Sequence, residues 1–458
     1  MIAKWNPVGL RGELGRTPYA LWGGALFGVK HNLSRVLAVE VFERPWGLLN
    51  YLRPADALHF GDLAQADQRF FLIQVVLSIP FIWMGVALSL RRLRSAGLSE
   101  SLSALFFIPF VNLLFFAVMV AFPARSADSP AAGPGWFGRL VPRSALGSAA
   151  LGVAVSVPFG LAVAFLSVFG LGSYGWGLFV GLPFCLGVGS VLLYTHHESR
   201  SLMASLGVAA LSVLLFGALC VAVAFEGVLC VSMAVPLAVP LAMIGAFFAH
   251  TATSEQRPGG APLALLVLTL PGLVAFEGVV APTPPAVQVQ TSVVISAPPE
   301  VVWDLVVDFP DLPEPDAWIF RHGISYPMSA RLEGTGVGAV RYCEFNTGAF
   351  VEPITVWDAP RRLAFDVQEQ PQPMTELSPW GEIDAPHLDD FLRSERGEFL
   401  LESLPGGRTR LTGTTWYRHQ IGPQVYWEAW STAIIGRIHR RVLDHVRLHS
   451  ERRVAERP

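Results

Sequence analysis

The chain changes rhythm twice. Long apolar runs of helical length follow one another up to residue 280, apolar and polar residues then alternate with period two, and the chain closes on an apolar stripe at helical spacing. A bilayer core asks for about 20 apolar residues of helix, because a helix pairs its own backbone groups where no water can. Segments 70–90, 102–122, 145–169, 175–194, 202–225, 228–248 and 261–280 meet that condition. An eighth, 18–42, is interrupted by Lys30, His31, Asn32 and Arg35, which predicts a helix that ends or snorkels near Lys30. About eight spans are therefore expected, three within 1–125 and five within 144–282, joined by a Pro-, Gly-, Ser- and Ala-rich linker over 126–143.

After Pro282-Thr283-Pro284-Pro285 the period becomes two. Val287, Val289, Thr291, Val293 and Ile295 alternate with Gln288, Gln290, Ser292 and Val294, which predicts a strand with one buried face. Ser296-Ala297-Pro298-Pro299-Glu300 then opens a helix, since proline is tolerated in a first turn, and Val301, Val302, Leu305 and Val306 give it an apolar stripe beside Trp303. Further strands are expected over 339–345, 350–357, 362–367, 397–402 and 409–418, with turns at Asp358-Ala359-Pro360 and Leu404-Pro405-Gly406-Gly407. A long helix over 423–450 carries Tyr426, Trp427, Trp430, Ile434, Ile438, Val442 and Val446 on one stripe.

Composition agrees with this division. At 52% hydrophobic, 15% charged and a mean hydropathy of +0.45, the 458 residues are too apolar for a chain that must cover itself with polar groups, so much of it faces lipid. Charge is sparse over 146–281 and dense over 287–458, the mark of two domains in different solvents. A net charge of −3 with lysine only at Lys4 and Lys30 leaves no basic footprint for nucleic acid. The cysteines, Cys185, Cys220, Cys230 and Cys343, show neither paired metal spacing nor a disulfide framework, and no metal or cofactor is expected. Residues 1–16 are mixed and do not read as a cleaved signal peptide.

Two resemblances follow from particular residues. Gly15-Arg16-Thr17-Pro18-Tyr19-Ala20-Leu21-Trp22, Arg91-Arg92-Leu93-Arg94-Ser95-Ala96-Gly97-Leu98-Ser99 and the apolar stretch from Ala104 to Leu113 resemble the DUF805 family of small bacterial inner-membrane proteins, with Arg94 and Ser95 standing where that family has His and Asp. The physical reading of Arg91, Arg92 and Arg94 is a cytoplasmic anchor at the lipid headgroups. Ile295 to Trp303, the strand-turn-strand from Glu352 to Leu363 and the closing helix resemble the SRPBCC superfamily of START-type lipid carriers and polyketide cyclase-like proteins, over 286–458. That resemblance implies an α+β helix-grip domain, a curved sheet around the last helix with a mostly apolar cavity between them.

Residues expected to line such a cavity are Trp303, Trp318, Phe320, Tyr342, Phe345, Trp416, Trp427 and Trp430, with Arg341, Glu344 and His419 for a ligand's polar end or for acid–base work. Strand parity places Arg341 and Glu344 on opposite faces, which tells against a catalytic pairing of those two. Ala224-Phe225-Glu226-Gly227-Val228 recurs as Ala275-Phe276-Glu277-Gly278-Val279, so Glu226 and Glu277 are expected on one membrane face, as carboxylates held at the interface by short turns rather than a cation or proton site. His196-His197-Glu198 reads as a solvated loop, because adjacent histidines point apart on a helix; the polar loop around Asp384, His387, Asp389 and Asp390 reads the same way, near the pocket mouth. The closing helix ends in Arg437, Arg440, Arg441, Arg447, Arg452 and Arg453, a solvated face able to meet anionic headgroups.

No nucleophile triad, phosphate loop, zinc spacing or paired-carboxylate motif stands out, so an enzyme is not supported. The expectation is a protein of the bacterial inner membrane whose cytoplasmic domain binds a hydrophobic, lipid-like molecule. The alternatives are a cyclase- or hydrolase-type enzyme using Arg341, Glu344 or His419, and a transporter or envelope protein regulated by the soluble domain.

Overall fold

In the computed structural model the described residues are 12–47, 65–98, 100–107, 111–122, 124, 140–255, 270–272, 274, 275, 277, 284–388 and 391–456. The chain divides into two compact units: Met1–Leu219 with Met233–Ala281, and Cys220–Ser232 with Pro282–Pro458. The short segment Cys220–Ser232 thus belongs with the C-terminal unit, although the helices it joins belong with the first.

The first unit is helical: α1 (Arg16–Val36), α2 (Gln65–Ala96), α3 (Val111–Ala121), α4 (Ala145–Phe165), α5 (Leu182–Tyr194), α6 (Leu202–Ala222, of which 220–222 fall in the second unit) and α7 (Val228–Glu255, of which 228–232 fall in the second unit). Among the described residues five helices are long and apolar enough to cross a membrane: Leu72–Ala96, Ala145–Gly170, Gly177–Tyr194, Leu202–Ala222 and Val228–Thr253. Eight spans were expected. Segment 102–122 departs from that, forming a 3-10 helix at Glu100–Phe107 and then only the 11 residues of α3, with 108–110 outside the described residues. Segment 18–42 does form a helix, α1, but with Lys30, His31, Asn32 and Arg35 in it the helix is not among the membrane-crossing five; 261–280 lies mostly outside the described residues.

Burial separates the spans. The Gly177–Tyr194 helix is 89% buried, whereas the other four are 22–33% buried and turn Val76, Ile79, Phe165 and Leu214 outward. Large apolar side chains facing outward suit a lipid surround, and the buried helix packs against α4 and α7. It is approached at backbone distance: a Cβ on Gly187 would stand 2.0 Å from the Ala242 carbonyl oxygen of α7, and one on Gly245 of α7 would stand 2.3 Å from that of Phe184. Without apolar driving force between helices in lipid, such close packing is what holds them.

Arg92 corrects one expectation. Its side chain is fully buried rather than at headgroups, with Nε donating to the Met119 carbonyl at 2.9 Å and Nη2 to that of Phe122. These are C-terminal carbonyls of α3 that have no partner within their own helix, and a cation meets the negative end of the helix dipole there. Arg94 instead pairs with Glu100 at 2.8 Å.

The second unit is an antiparallel sheet curled against one long helix, the helix-grip arrangement. Its elements are β1 (Val287–Ile295), α8 (Pro299–Val307), α9 (Trp318–Arg321), β2 (Pro327–Glu333), β3 (Val340–Phe345), β4 (Gly348–Asp358), β5 (Arg362–Asp366), β6 (Glu376–Ser378), β7 (Gly381–Ile383), β8 (Leu392–Leu404), β9 (Arg408–His419) and α10 (Gln424–Ala455). The seven-stranded sheet runs β1-β9-β8-β5-β4-β3-β2, and β6-β7 form a separate hairpin. Register shifts at Pro327/Ser329, Ile354/Val356 and Ser394/Arg396 insert extra residues that sharpen the sheet's bend. Ile295, Val302, Leu305, Leu363, Leu401, Leu411, Leu443 and Val446 fill the space between sheet and helices. Tyr417 on β9 reaches Ser431 of α10 at 2.7 Å, and His439 of α10 bridges Thr415 at 2.8 Å and Thr291 at 3.2 Å, so the helix is pinned to β1 and β9 by hydroxyls as well as by apolar packing.

Gly245→Val should push α7 off α5, at a cost of about 2 kcal/mol by the usual penalty for overpacking. Thermal unfolding of the full chain in detergent reads this as a lowered midpoint; an unchanged midpoint would rule out the close approach.

Candidate functional site

Strand parity decides which polar side chains reach the inside of the sheet. On β3, Arg341, Cys343 and Phe345 point inward, and the turn after Phe345 places Glu352 of β4 opposite Arg341. Both are buried, and Arg341 Nη1 donates to Glu352 Oε2 in a short ion pair. The guanidinium also stands 5.5 Å from the ring centre of Phe309, 5.4 Å from Phe365 and 5.6 Å from Phe399, where ring quadrupoles attract a cation. Burial pushes the Glu352 carboxyl up while Arg341 draws it down. Burial likewise pushes the Cys343 thiol up to about 12, which leaves it protonated and inert at neutral pH. Arg341 Nε has no hydrogen-bond partner among the described residues.

Beyond Phe309 lies a cleft of about 340 Å³ between α10 and the stretch leading into α9. Leu312, Pro313, Pro315, Ala317, Phe320 and Leu448 line it with apolar surface, and Arg437, Arg440, Arg441, Asp444, Asp316 and His445 add the polar groups. Arg441 holds the walls together, donating from Nε to the Pro327 carbonyl at 3.0 Å and from Nη2 to that of Pro313 at 2.5 Å. Asp444 pairs with Arg447 at 3.0 Å. Arg437 and Arg440 are exposed and have no ion-pair partner among the described residues, and with Arg441 they outnumber the carboxylates of the cleft, Asp316 and Asp444. The His445 ring lies 6.1 Å from that of Phe309, which makes Phe309 the partition between the cleft and the buried Arg341. His445 Nε2 is buried with no partner among the described residues.

The sequence-predicted residues distribute as follows. Arg341 is interior and Phe320 is buried beside the cleft. Trp303 is buried in the main core, edge-on to Trp357 at 5.4 Å, and Trp427 is buried in the first turns of α10, with Trp430 half-buried nearby. His419 is buried at the end of β9, its ring stacked on Tyr417 at 6.2 Å. Parity corrects three expectations. Tyr342 and Glu344 lie on the outer face, where Arg331 sits 4.3 Å over the Tyr342 ring and 3.7 Å from the Glu344 carboxylate, and Trp416 lies there too, 4.0 Å beneath Arg396. Trp318 is 64% exposed and packs on His322, so it is not a cavity wall.

Glu226 and Glu277 are set to different tasks. The Glu277 carboxylate accepts from the backbone N–H groups of Trp176 at 2.7 Å and Gly177 at 2.9 Å, at the amino end of the buried helix, where a negative charge meets the positive end of the dipole. Glu226, in the C-terminal unit, stands 2.9 Å from His387. His387 is buried rather than in a solvated loop; Asp389 and Asp390 lie outside the described residues. Of the other tentative cluster, His197 bonds the Val141 carbonyl at 2.8 Å and Glu198 pairs with Arg200 at 2.9 Å.

Sequence reasoning passed over Glu352, Arg437, Arg440 and His445 as site residues. Glu352 was legible in principle: a hairpin centred on Asn346 and Thr347 sets it against Arg341. The lining from α10 was not, because the loop that faces it has no periodicity from which to read a register.

Residues 286–384 match the family described as polyketide cyclase / dehydrase and lipid transport. Among solved structures the chain is similar to the Zhui aromatase/cyclase from Streptomyces sp. R1128, with 18% identity over 37% of this chain and 96% of that one and a TM-score of 0.26. It is also similar to truncated norcoclaurine synthase from Thalictrum flavum, with 11% identity, 39% and 98% coverage and a TM-score of 0.25. The Aha1 dimer from Colwellia psychrerythraea shows 13% identity, 36% and 98% coverage and a TM-score of 0.22. No curated protein matches the chain.

Two outcomes follow from the buried groups. Glu352→Gln leaves Arg341 as an uncompensated buried cation and should cost about 3–5 kcal/mol, while the Arg341→Met/Glu352→Met double variant should lie within about 1 kcal/mol of the parent, as read by denaturant unfolding of the full chain in detergent. Burial also lowers His419, His439 and His445 to about 4, the last further lowered by His449 and Arg441. The unfolded chain takes up those protons near pH 6.5, so the C-terminal unit should lose stability as pH falls from about 6.5 to about 4 and level off below. Thermal midpoints that stay flat across that window would contradict three neutral buried imidazoles.

Proposed function

We propose that the chain is a membrane-tethered binding module for an amphiphilic, lipid-like molecule with an anionic head. One observation carries the reading: the cleft between α10 and the Leu312–Phe320 stretch joins an apolar lining to the exposed guanidinium groups of Arg437 and Arg440. An acyl or fused-ring body would lie on Leu312, Ala317, Phe320 and Leu448. Its carboxylate or phosphate would meet the two arginines, whose planar donor sets suit such groups. The family description of the 286–384 match, which includes lipid transport, is in keeping with this.

The apolar helices of the first unit would be the tether, in a bacterial inner membrane with the soluble domain on the cytoplasmic side. The DUF805-like residues of 1–125 support that location. The connection over 282–285 is short in sequence, so the domain would take its ligand from nearby lipid rather than reach across the cell. Catalysis finds less support, because Arg341 is ion-paired with Glu352 and enclosed by aromatic rings and Glu344 points outward.

The full chain in detergent should bind a fluorescent anionic fatty acyl probe. Arg437→Gln/Arg440→Gln should weaken binding about tenfold, equivalent to about 1.4 kcal/mol. Ala317→Trp should abolish it by filling the cleft, with the thermal midpoint retained. No probe binding by the folded parent chain, together with no co-purified lipid by mass spectrometry, would remove the carrier reading.

A further inference from the structure

A second constellation lies apart from the cleft, where the Cys220–Ser232 segment meets the stretch around β6, β7 and the 3-10 turn Pro386–Leu388 within the C-terminal unit. His387 is 5% exposed, Glu226 7%, Cys230 9% and Glu376 not at all. His387 Nδ1 is 2.9 Å from Glu226 Oε2, and its Nε2 is 3.6 Å from Glu376 Oε1. One ligand atom from each of Glu226, Cys230 and His387 lies within 4.8 Å of the other two. The Glu376 carboxylate is fixed, accepting from the backbone N–H groups of Leu229 at 3.0 Å and Cys230 at 2.7 Å at the start of α7. Trp380 Nε1 donates to the Ala222 carbonyl at 2.7 Å and secures the other end of the segment.

We propose that Glu226, Cys230 and His387 bind a zinc-class divalent cation, with Glu376 orienting the imidazole. One oxygen, one sulfur and one nitrogen suit a borderline-soft ion, whereas calcium and magnesium prefer oxygen alone. With metal–ligand bonds of roughly 2.0–2.3 Å, tetrahedral ligand atoms stand about 3.3–3.8 Å apart. The three atoms converge on that spacing by shifts of an ångström or less. Nδ1 takes the metal, and Nε2, 3.6 Å from Glu376 Oε1, needs only a small ring rotation to form the carboxylate–histidine–metal relay that fixes a ring's tautomer. The fourth position falls to solvent or to an added ligand.

Cys230 and His387 bind metal in their deprotonated forms, so binding displaces the thiol proton and any proton on His387 Nδ1 to solvent. In the metal-free state the 2.9 Å contact of His387 Nδ1 with Glu226 Oε2 joins the two stretches. Metal would therefore clamp the Cys220–Ser232 segment to the β6–β7 region through coordinate bonds in place of that contact.

The test uses the full chain in detergent, stripped with a chelator and reloaded with zinc or cobalt. One zinc per chain by elemental analysis and a thiolate-to-cobalt charge-transfer band are expected. Cys230→Ser should abolish the band while its metal-free thermal midpoint stays at that of the parent. Glu376→Gln should leave the band but weaken zinc affinity 10- to 100-fold, in the range found for the partners of metal-bound histidines. Substoichiometric zinc with no cobalt band in the folded parent would overturn the proposal and leave the His387–Glu226 ion pair alone. A band that survives Cys230→Ser would overturn it as well, by placing the metal elsewhere.

Discussion

A carboxylate taken out of water must be given donors where it comes to rest, because an uncompensated buried charge costs several kcal/mol. Among the described residues four glutamates are buried, and local structure is arranged around each. Glu277 rests on two backbone N–H groups at the head of the most buried helix. Glu376 rests on two at the head of α7. Glu352 takes the guanidinium of Arg341, and Glu226 takes the imidazole of His387. Each partner is distant in sequence except Arg341, so the carboxylates act as cross-links between stretches that have no other reason to meet. Arg92 is the mirror case, a buried cation given the orphan carbonyls at the end of α3.

Within the helix-grip unit the same rule separates two environments that one cavity was expected to combine. The interior beneath the sheet is occupied by the Arg341–Glu352 pair and the rings of Phe309, Phe365 and Phe399 that surround it. Exposed guanidinium groups and apolar surface instead coincide outside Phe309, where α10 turns Arg437 and Arg440 to solvent beside Leu312 and Phe320. A ligand there gains from both without first breaking a buried ion pair. Arg441 makes that cleft a fixed shape, since its two carbonyl contacts hold the loop at a set distance from the helix.

What the sequence shows depends on whether one element or several must be read. Period two in Val287 to Ile295 sets β1 and its buried face, and the stripe from Trp427 to Val446 sets α10, because each pattern is written in one continuous segment. Membrane-crossing length was legible for the same reason, and it failed at 102–122, where hydropathy cannot tell a continuous span from a 3-10 helix followed by a short α-helix. Parity, had it been applied strand by strand to Tyr342, Glu344 and Trp416 as it was to the Arg341–Glu344 pair, would have set those three on the outer face. The polar cluster at His387 was beyond such reading. Glu226 and Cys230 share a turn of chain with no metal spacing, and Glu376 and His387 sit among short strands and a 3-10 turn without periodicity. Only the tertiary fold, through the fit of Glu376 onto the first amides of α7, brings residues about 150 positions apart to hydrogen-bonding distance. A site assembled in that way leaves a signature in burial and charge pairing, and none in spacing along the chain.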